Sequence, residues 1–432
     1  SYVGNNLNSV TDGLHPNRVL MFSYDATPGL LIQVKDWPGR VFKYQYDTAG
    51  NLDAAFNPLS IAGAQPPTTY AYNNDGVLAH TMKSYTYPRG NGMTFEYYAN
   101  GRVFREYNKL GDANTFNYNE LRRESSFVDA RGNTRRFFFN ADGNPIQVNE
   151  ENGGQRTSTY DTTNPYLKLS ETNPLGYTVR NTYDVSTGNM TQQTLPSGAT
   201  IVYSHYNAFG SPGKIKDARG NYTLMKYDSR GNLLESIALK TGIGGAVDPA
   251  TYSPAPAEIV ARQINTYDGH GNLLSTKKVR DFTNNTGPTL TYGYADAVNG
   301  VNGLNPTTIT RTGDRDGVVA TVETDVANLT YDALGRLKTG IRSNWYDTSF
   351  SYDELDRVIQ FKDSEGKQRG TSYDPNGNPI QSWLMGSSLT DVQTTSYDLA
   401  DRKETSVSNG GGVNAYQYDP SDNVIKVTNP DG

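Results

Sequence analysis

The sequence predicts an all-β fold: a continuous antiparallel array of β-hairpins, built on a Tyr-Asp repeat, that curls into a spiral hollow shell or tube. Three observations predict it. The composition is rich in tyrosine and short of core-forming residues, an aromatic-Asp/Asn pair recurs from end to end, and paired turn signals about ten residues apart frame short strands within each repeat.

A chain of 432 residues has room for two or three ordinary domains, yet its composition argues against ordinary ones. Without its 31 Tyr but with its 43 Gly, the apolar share is about 38%, against a typical ~45–50%. A thick core of Val, Ile and Leu is therefore not expected. Tyrosine suits a half-wet sheet, because its ring packs while its hydroxyl stays hydrated. The net charge of −6 is mild and mixed along the chain, which argues against a nucleic-acid or anionic-membrane binder. With no Cys, disulfides, thiolate catalysis and thiolate metal sites are excluded together. No apolar stretch approaches the ~18 residues of a membrane span. The first residue is Ser and the last four, Asn429-Pro430-Asp431-Gly432, read as a turn without its return strand. The sequence thus reads as part of something longer.

Sliding the chain against itself aligns anchors at Tyr24, Tyr46, Tyr72, Phe139, Tyr160, Tyr183, Tyr206, Tyr227, Tyr267, Tyr331, Tyr352, Tyr373, Tyr397 and Tyr418, with weaker copies at Tyr98, Tyr118 and Tyr294. Most neighbours lie 20–26 residues apart. Each repeat carries two turn signals, as in Tyr352-Asp353-Glu354-Leu355-Asp356-Arg357 and then Asp363-Ser364-Glu365-Gly366. Strands of about six residues between such turns make an antiparallel meander.

The turn residues have a mechanism. Asp or Asn accepts a hydrogen bond from the backbone N–H two residues on, fixing a type I turn. The fourth residue then adopts a left-handed conformation, which Gly reaches without a Cβ clash. Gly stands there at Gly50, Gly76, Gly143, Gly210, Gly231, Gly271, Gly335 and Gly377. Asn164, Asp356, Asp401 and Asp422 occupy the same position, and Asn and Asp tolerate that conformation best after Gly. Arg122 breaks the rule in the Tyr118 turn. The motif residues singled out are Tyr46, Asp47 and Gly50; Tyr227, Asp228 and Gly231; Tyr267, Asp268 and Gly271; Tyr331, Asp332 and Gly335; and Tyr373, Asp374 and Gly377.

The pattern Tyr-Asp-x-x-Gly-Asn/Arg-Leu, as in Tyr46-Asp47-Thr48-Ala49-Gly50-Asn51-Leu52 and Tyr331-Asp332-Ala333-Leu334-Gly335-Arg336-Leu337, resembles the RHS/YD-repeat family. That family includes bacterial Rhs polymorphic toxins, the B and C components of insecticidal Tc toxin complexes, and animal teneurins. The resemblance covers nearly all of the chain. It implies a spiral β-sheet closing into a hollow shell that, in the bacterial toxins, encloses a toxic cargo.

Geometry supports a shell on its own. Seventeen hairpins supply about 34 strands, and at ~4.8 Å per strand these make an edge of roughly 160 Å, or ~50 Å across if closed in one turn. Open sheets rarely exceed ~10 strands without curling, and barrels of ~8 strands already fill with side chains. In Val41 to Tyr46 one face carries Phe42, Tyr44 and Tyr46 and the other Val41, Lys43 and Gln45, as expected for a single layer wetted on both sides. Rows of Tyr from adjacent hairpins are expected to stack as cross-strand aromatic pairs.

The whole of 1–432 is read as one β-shell segment, with insertions near 57–67, 238–260 and 295–325 and a shorter decoration at 409–412. These read as surface or lumen loops, or as partner contacts. Gly242-Ile243-Gly244-Gly245 reads as a flexible insert and not a phosphate loop.

Chemistry is sparse. His15, His80, His205 and His270 form no helical i,i+4 pair, and His205 falls in a strand and His270 in a turn. Asp314-Arg315-Asp316-Gly317 lacks the third ligand and terminal Glu of a calcium loop and reads as a turn. In the toxins that the sequence resembles, acidic residues near an Asp-Pro-x-Gly motif cut off the cargo. Asp374-Pro375-Asn376-Gly377 matches superficially but lies in an ordinary repeat, so no protease role is carried over. No catalytic, cofactor or metal residue is expected, and the chain is not expected to be an enzyme.

The expected role is the structural wall of a large secreted or surface-exposed bacterial RHS-repeat protein, enclosing a C-terminal cargo such as a toxin. The alternative is an extracellular adhesin or fibre built from the same repeats. Expected partners are an encapsulated C-terminal polypeptide or neighbouring shell or fibre subunits, with surface glycans as a further class. Nucleic acid and a membrane span are not expected.

Overall fold

The Tyr-Asp turns each close a hairpin whose pairing slips by one residue at the tyrosine. Such shifts fall at Gln45/Tyr46, Lys226/Tyr227, Thr266/Tyr267, Thr330/Tyr331 and Ser372/Tyr373. The alternate hairpins, such as Leu31–Lys35 with Val41–Tyr46 or Val358–Lys362 with Gln368–Tyr373, pair without a shift. A bulge adds a residue to one strand, bending it and increasing its twist. Repeating it along one edge of a ribbon gives every bend the same sign, so the ribbon coils.

A computed structural model describes residues 1–13, 15–26, 29–295, 305–313, 323–342, 346–385 and 392–430. Among them, 35 strands from Ser9–Thr11 to Val424–Thr428 form one sheet in which each strand pairs antiparallel with its neighbours in sequence. A separate small hairpin joins Tyr2–Val3 to Asn6–Leu7. The first and last strands of the large sheet do not pair with each other, so it is an open spiral ribbon and not a closed barrel. Among the described residues helix is confined to one short element, Pro58–Ile61, capped by the Asn57 side chain, and two single 3-10 turns.

The ribbon meets itself. Side chains of the 36–40, 89–91 and 129–131 turns bond to the 333–356, 374–401 and 419–421 turns of a second lap. Twenty-five strands separate Arg40 from Asp356 and twenty-three separate Arg131 from Asp419. At ~4.8 Å per strand, a lap of about two dozen strands is ~115 Å around and ~37 Å across. This is narrower than a single lap of all the strands, because the ribbon climbs as it coils and begins a second turn.

No second layer backs this wall. The chain exposes 25155 Å² at 47.5 kDa, where a compact globule of that mass exposes ~16,000 Å². Among the described residues seven apolar side chains are buried, and four of them, Leu224, Ile237, Leu239 and Ile259, make one cluster. Their cover is the 240–258 segment, which joins strands Leu233–Leu239 and Ile259–Tyr267 and packs Ile243, Val247 and Tyr252 onto them. Lys214 Nζ donates to the carbonyls of Gly245 and Val247 at 2.7 and 3.0 Å, and Lys226 Nζ donates to that of Tyr252 at 3.0 Å. At Gly244, φ is +106° and a Cβ would lie 2.8 Å from the Tyr222 side chain. The stretch that read as a flexible insert is therefore a fitted cover. Its few apolar residues find a sheet face that composition could not reveal.

The 409–412 stretch is no decoration. It is an ordinary repeat turn in which Gly411 N–H donates to Ser408 O at 2.9 Å. Of the 295–325 stretch, strand Thr308–Gly313 is described, while Asp314-Arg315-Asp316-Gly317 lies outside the described residues, as do Asp431 and Gly432.

Candidate functional site

The working parts of the wall are its two rims, one made of Tyr-Asp turns and the other of the turns between repeats. In each motif turn one carboxylate oxygen of the Asp accepts two backbone N–H groups. For Asp47 these are Ala49 and Asn51, both at 2.9 Å; for Asp228, Arg230 and Asn232, both at 2.9 Å. Asp268 takes His270 and Asn272, Asp332 takes Leu334 and Arg336, and Asp374 takes Asn376 and Asn378. Its second oxygen accepts from the side chain four residues on: Asn51, Asn232, Asn272 or Asn378, or Arg336 Nε at 2.6 Å. The sequence reading named the bond two residues on but missed this second clamp, although the recurrent Asn or Arg after Gly was its signal.

The fourth residue is left-handed at Gly50 and Gly231, with φ of +83° and +88°, and Gly271, Gly335 and Gly377 sit in the same region. Asp356, Asp401 and Asp422 adopt it too, at 65°, 60° and 65°. Asn164 does not. Its turn runs on through Pro165 and Tyr166, and Leu167 N–H donates to Asn164 O. In the Tyr118 turn Arg123, not Arg122, takes the left-handed place at φ 47°, so that turn is one residue longer. Gly76 opens a 3-10 turn, Gly76–Leu78, in place of a plain hairpin.

Among the described motif tyrosines, Tyr98 and Tyr118 meet edge-on at 6.1 Å between centroids, and no row of stacked rings forms. Tyr46, Tyr227, Tyr267, Tyr331 and Tyr373 each point the hydroxyl at the previous hairpin and donate to a backbone carbonyl at or near the start of its return strand. Tyr46 donates to Leu31 O at 2.8 Å, Tyr227 to Pro212 O at 3.1 Å and Tyr373 to Val358 O at 2.8 Å, each fifteen residues back. Tyr267 reaches Leu233 O at 3.2 Å across the 240–258 cover, and Tyr331 reaches Pro306 O at 2.9 Å. The ring faces serve as seats for cations: Arg336, Arg357 and Arg402 lie 4.6, 4.7 and 4.7 Å from the centroids of Tyr352, Tyr373 and Tyr418. Those arginines also donate to the next turn's backbone, at Asp353, Asp374 and Asp419 O. Rows of rings fail because the latch holds each ring at its own hairpin junction.

Where the laps meet, the seam is made by side chains; among the described residues no backbone–backbone bond crosses it. Trp37 Nε1 donates to Ala333 O at 2.6 Å, and Arg40 Nη1 pairs with Asp356 Oδ1 at 2.8 Å. Arg89 is the centre. It donates to Asp401 Oδ1 at 2.6 Å and Tyr397 O at 2.8 Å, and lies 3.3 Å from Asp374 Oδ2. Asn91 adds a bond to Asp401 Oδ2 at 2.7 Å. Asn376 accepts from the Arg89 N–H at 3.0 Å, which places Asp374-Pro375-Asn376-Gly377 as a seam turn. Further on, Arg131 donates to Asp419 at 3.1 Å and Ser421 Oγ donates to Asp129 at 3.0 Å. Between these last two posts lies a cleft of about 560 Å³ whose walls include Tyr85, Tyr87, Phe127, Asp112 and Asp422.

Burial alone would raise the Asp129 carboxyl. Hydrogen bonds from the Asn133 side chain and backbone, the Ser421 hydroxyl and the Arg131 N–H outweigh it and hold the group at about 2. Asp401 is lowered in the same way, with burial opposed by Asn376, Asn91, Asn378 and Arg89. Tyr46, Tyr227, Tyr331 and Tyr373 are pushed up, first by burial. The histidines stay apart: His15 is buried against Asp12, His80 bonds Asn51, His205 lies in strand Thr200–Tyr206 at φ 58° and His270 sits in the Asp268 turn. Among the described residues no group of three or more His, Cys, Asp or Glu is placed to hold a metal ion, and no helix is long and apolar enough to cross a membrane.

Two outcomes follow from this geometry. Tyr373→Phe strips the donor from Val358 O and lowers stability by about 0.5–1.5 kcal/mol, read by urea unfolding. Because Asp129 has a lower pKa folded than unfolded, its contribution is complete above about pH 4 and is lost as pH falls towards about 2. Asp129→Asn therefore melts below the parent at pH 7, and the two melting curves converge at pH 2.

A family model described as Teneurin YD-shell matches residues 257–382. No curated protein matches the sequence. A crystal structure of TcdB2-TccC3-TEV is 15% identical and shares the fold with a TM-score of 0.58, over 96% of this chain and 22% of that one. A crystal structure of TcdB2-TccC3 is 13% identical with a TM-score of 0.40, over 95% of this chain and 26% of that one. The Photorhabdus luminescens Tc holotoxin pore is 14% identical with a TM-score of 0.35, over 97% of this chain and 28% of that one. The chain thus spans about a quarter of the length of the solved structures that it matches. The Tyr-Asp repeat running from Tyr24 to Tyr418 resembles that of the RHS/YD-repeat family, a YD-shell model matches within it, and the chain has the fold of the TcdB2-TccC3-TEV structure over 96% of its length.

Proposed function

We propose that this chain is a stretch of wall in a secreted or surface-exposed bacterial protein, and that the wall encloses a C-terminal polypeptide cargo such as a toxin. The observation that carries the reading is the single-layer ribbon returning on itself after about two dozen strands. A wall ~37 Å across is far too wide for its own side chains to fill, so it surrounds space. A role in containment and not catalysis also fits the carboxylates, since those of the motif turns are committed to backbone N–H groups.

The alternative reading is an extracellular adhesin or fibre built from the same repeats.

The test uses the full-length natural protein under proteinase K. Enclosure predicts that the segment following the repeats survives intact under native conditions and is digested once the wall is unfolded. Immediate digestion of that segment, with the protein sedimenting as filaments, contradicts enclosure and supports the fibre.

A further inference from the structure

We infer that Asp356 and Asp401, the aspartates that stand where glycine closes other Tyr-Asp turns, are docking residues that set the register at which one lap of the ribbon seats on the next. The inference rests on the seam and not on what the wall encloses.

Locally, aspartate is the worse choice. An L-residue in the left-handed region crowds its Cβ against the following carbonyl, which glycine avoids. Among the described left-handed turn residues of this rim, aspartate appears only on the second lap, at Asp356, Asp401 and Asp422, alongside Gly335 and Gly377. On the stretch of this rim that no other lap covers, glycine holds the position at Gly50, Gly101, Gly143, Gly210, Gly231 and Gly271, all with positive φ, and Arg123 is the left-handed residue of the longer Tyr118 turn. At Gly50, Gly101 and Gly143 a Cβ would meet nothing within 4 Å, so there the position points off the rim into open space, whereas at Gly231 it would lie 2.8 Å from the Phe209 ring. Where the first lap lies against the rim, that same direction leads to its arginines. Asp356 accepts from Arg40 at 2.8 Å, and from Arg336 of its own lap at 2.6 Å. Asp401 accepts from Arg89 at 2.6 Å and Asn91 at 2.7 Å, while Asn376 and Asn378 of its own lap hold the carboxylate in place. For a carboxylate partner, glycine at position 356 would leave Arg40 only Asp36 of its own lap, and glycine at position 401 would leave Arg89 only the longer contact with Asp374. Asp422 has the same backbone but pairs with Arg402 of its own lap at 2.8 Å, so it is not assigned this role.

The two explanations predict opposite signs for one substitution in the full 432-residue chain. If aspartate is merely tolerated in the turn, Asp401→Gly relieves a strained residue and raises the melting temperature. If it docks the laps, Asp401→Gly lowers the melting temperature by a few degrees and loosens the seam. Looseness is read by electron–electron distance between spin labels on Lys109→Cys and Leu399→Cys, two exposed residues on opposite sides of the seam in a chain without other cysteines. Docking predicts a longer and broader distance distribution in Asp401→Gly and in Arg89→Gln. It predicts no change in Arg219→Ala, whose turn, Asp217-Ala218-Arg219-Gly220, copies Asp129-Ala130-Arg131-Gly132 but makes no seam contact. Glycine is the residue best suited to the turn, so loss of folding does not obscure the result. An unchanged label distance with a raised melting temperature in Asp401→Gly overturns the inference.

Discussion

A sheet with no second layer cannot lean on a core, so each hairpin must be fixed to the one before it by bonds it carries along its own edge. Here that bond is the tyrosine hydroxyl to the carbonyl at the start of the preceding return strand, as from Tyr46 to Leu31 and from Tyr373 to Val358. A neutral hydrogen bond of this kind contributes about 0.5–1.5 kcal/mol. Repeated at successive hairpins, it makes stability a sum over neighbours and leaves the interior free of packing. The bond also has a geometric effect. It pins the bulged end of each hairpin to its neighbour, so the bend at every Tyr-Asp turn is added and not averaged away.

The rims inherit different tasks from this arrangement. The Tyr-Asp rim holds the lateral latch, reinforced on the second lap by Arg336, Arg357 and Arg402, each spanning from its own Asp to the next turn. The opposite rim, whose pairing shifts at Ala238/Leu239 beneath the 240–258 cover, offers Trp37, Arg40, Arg89 and Arg131 to the lap that follows. A ladder of backbone bonds runs along the ribbon, while the seam between laps depends on charge and side-chain geometry. The wall is therefore continuous in one direction and jointed in the other. The 240–258 cover is the exception that proves how thin the rest is: it lies on the face of Leu224, opposite the Tyr227 ring, and creates the largest buried apolar cluster described.

How much of this was legible depended on distance along the chain. The hairpins, the Asp that caps each turn and the left-handed fourth residue are settled within five residues, and the repeat displays them plainly. The tyrosine's target lies fifteen residues back, so the sequence showed that Tyr recurs but not what its hydroxyl does. The seam joins residues about 300 apart, beyond the reach of any periodicity, and Asp401 looked like a tolerated substitute for glycine until Arg89 was beside it. Composition misled at Gly242 to Gly245, because glycine reports conformational freedom and not whether a neighbouring face of Leu239 and Tyr222 will restrict it.

The central claim is that one layer of strands, latched hairpin to hairpin, coils around space. Its most direct test is a cross-section, by cryo-electron microscopy, of the particle formed by this 432-residue chain alone, without any enclosed polypeptide. The account requires a ring of density one sheet thick, ~40 Å across, with solvent at the centre and a joint between successive laps at Arg89 and Asp401. Density filling the centre, or a second sheet packed against the first along most of its length, would contradict it.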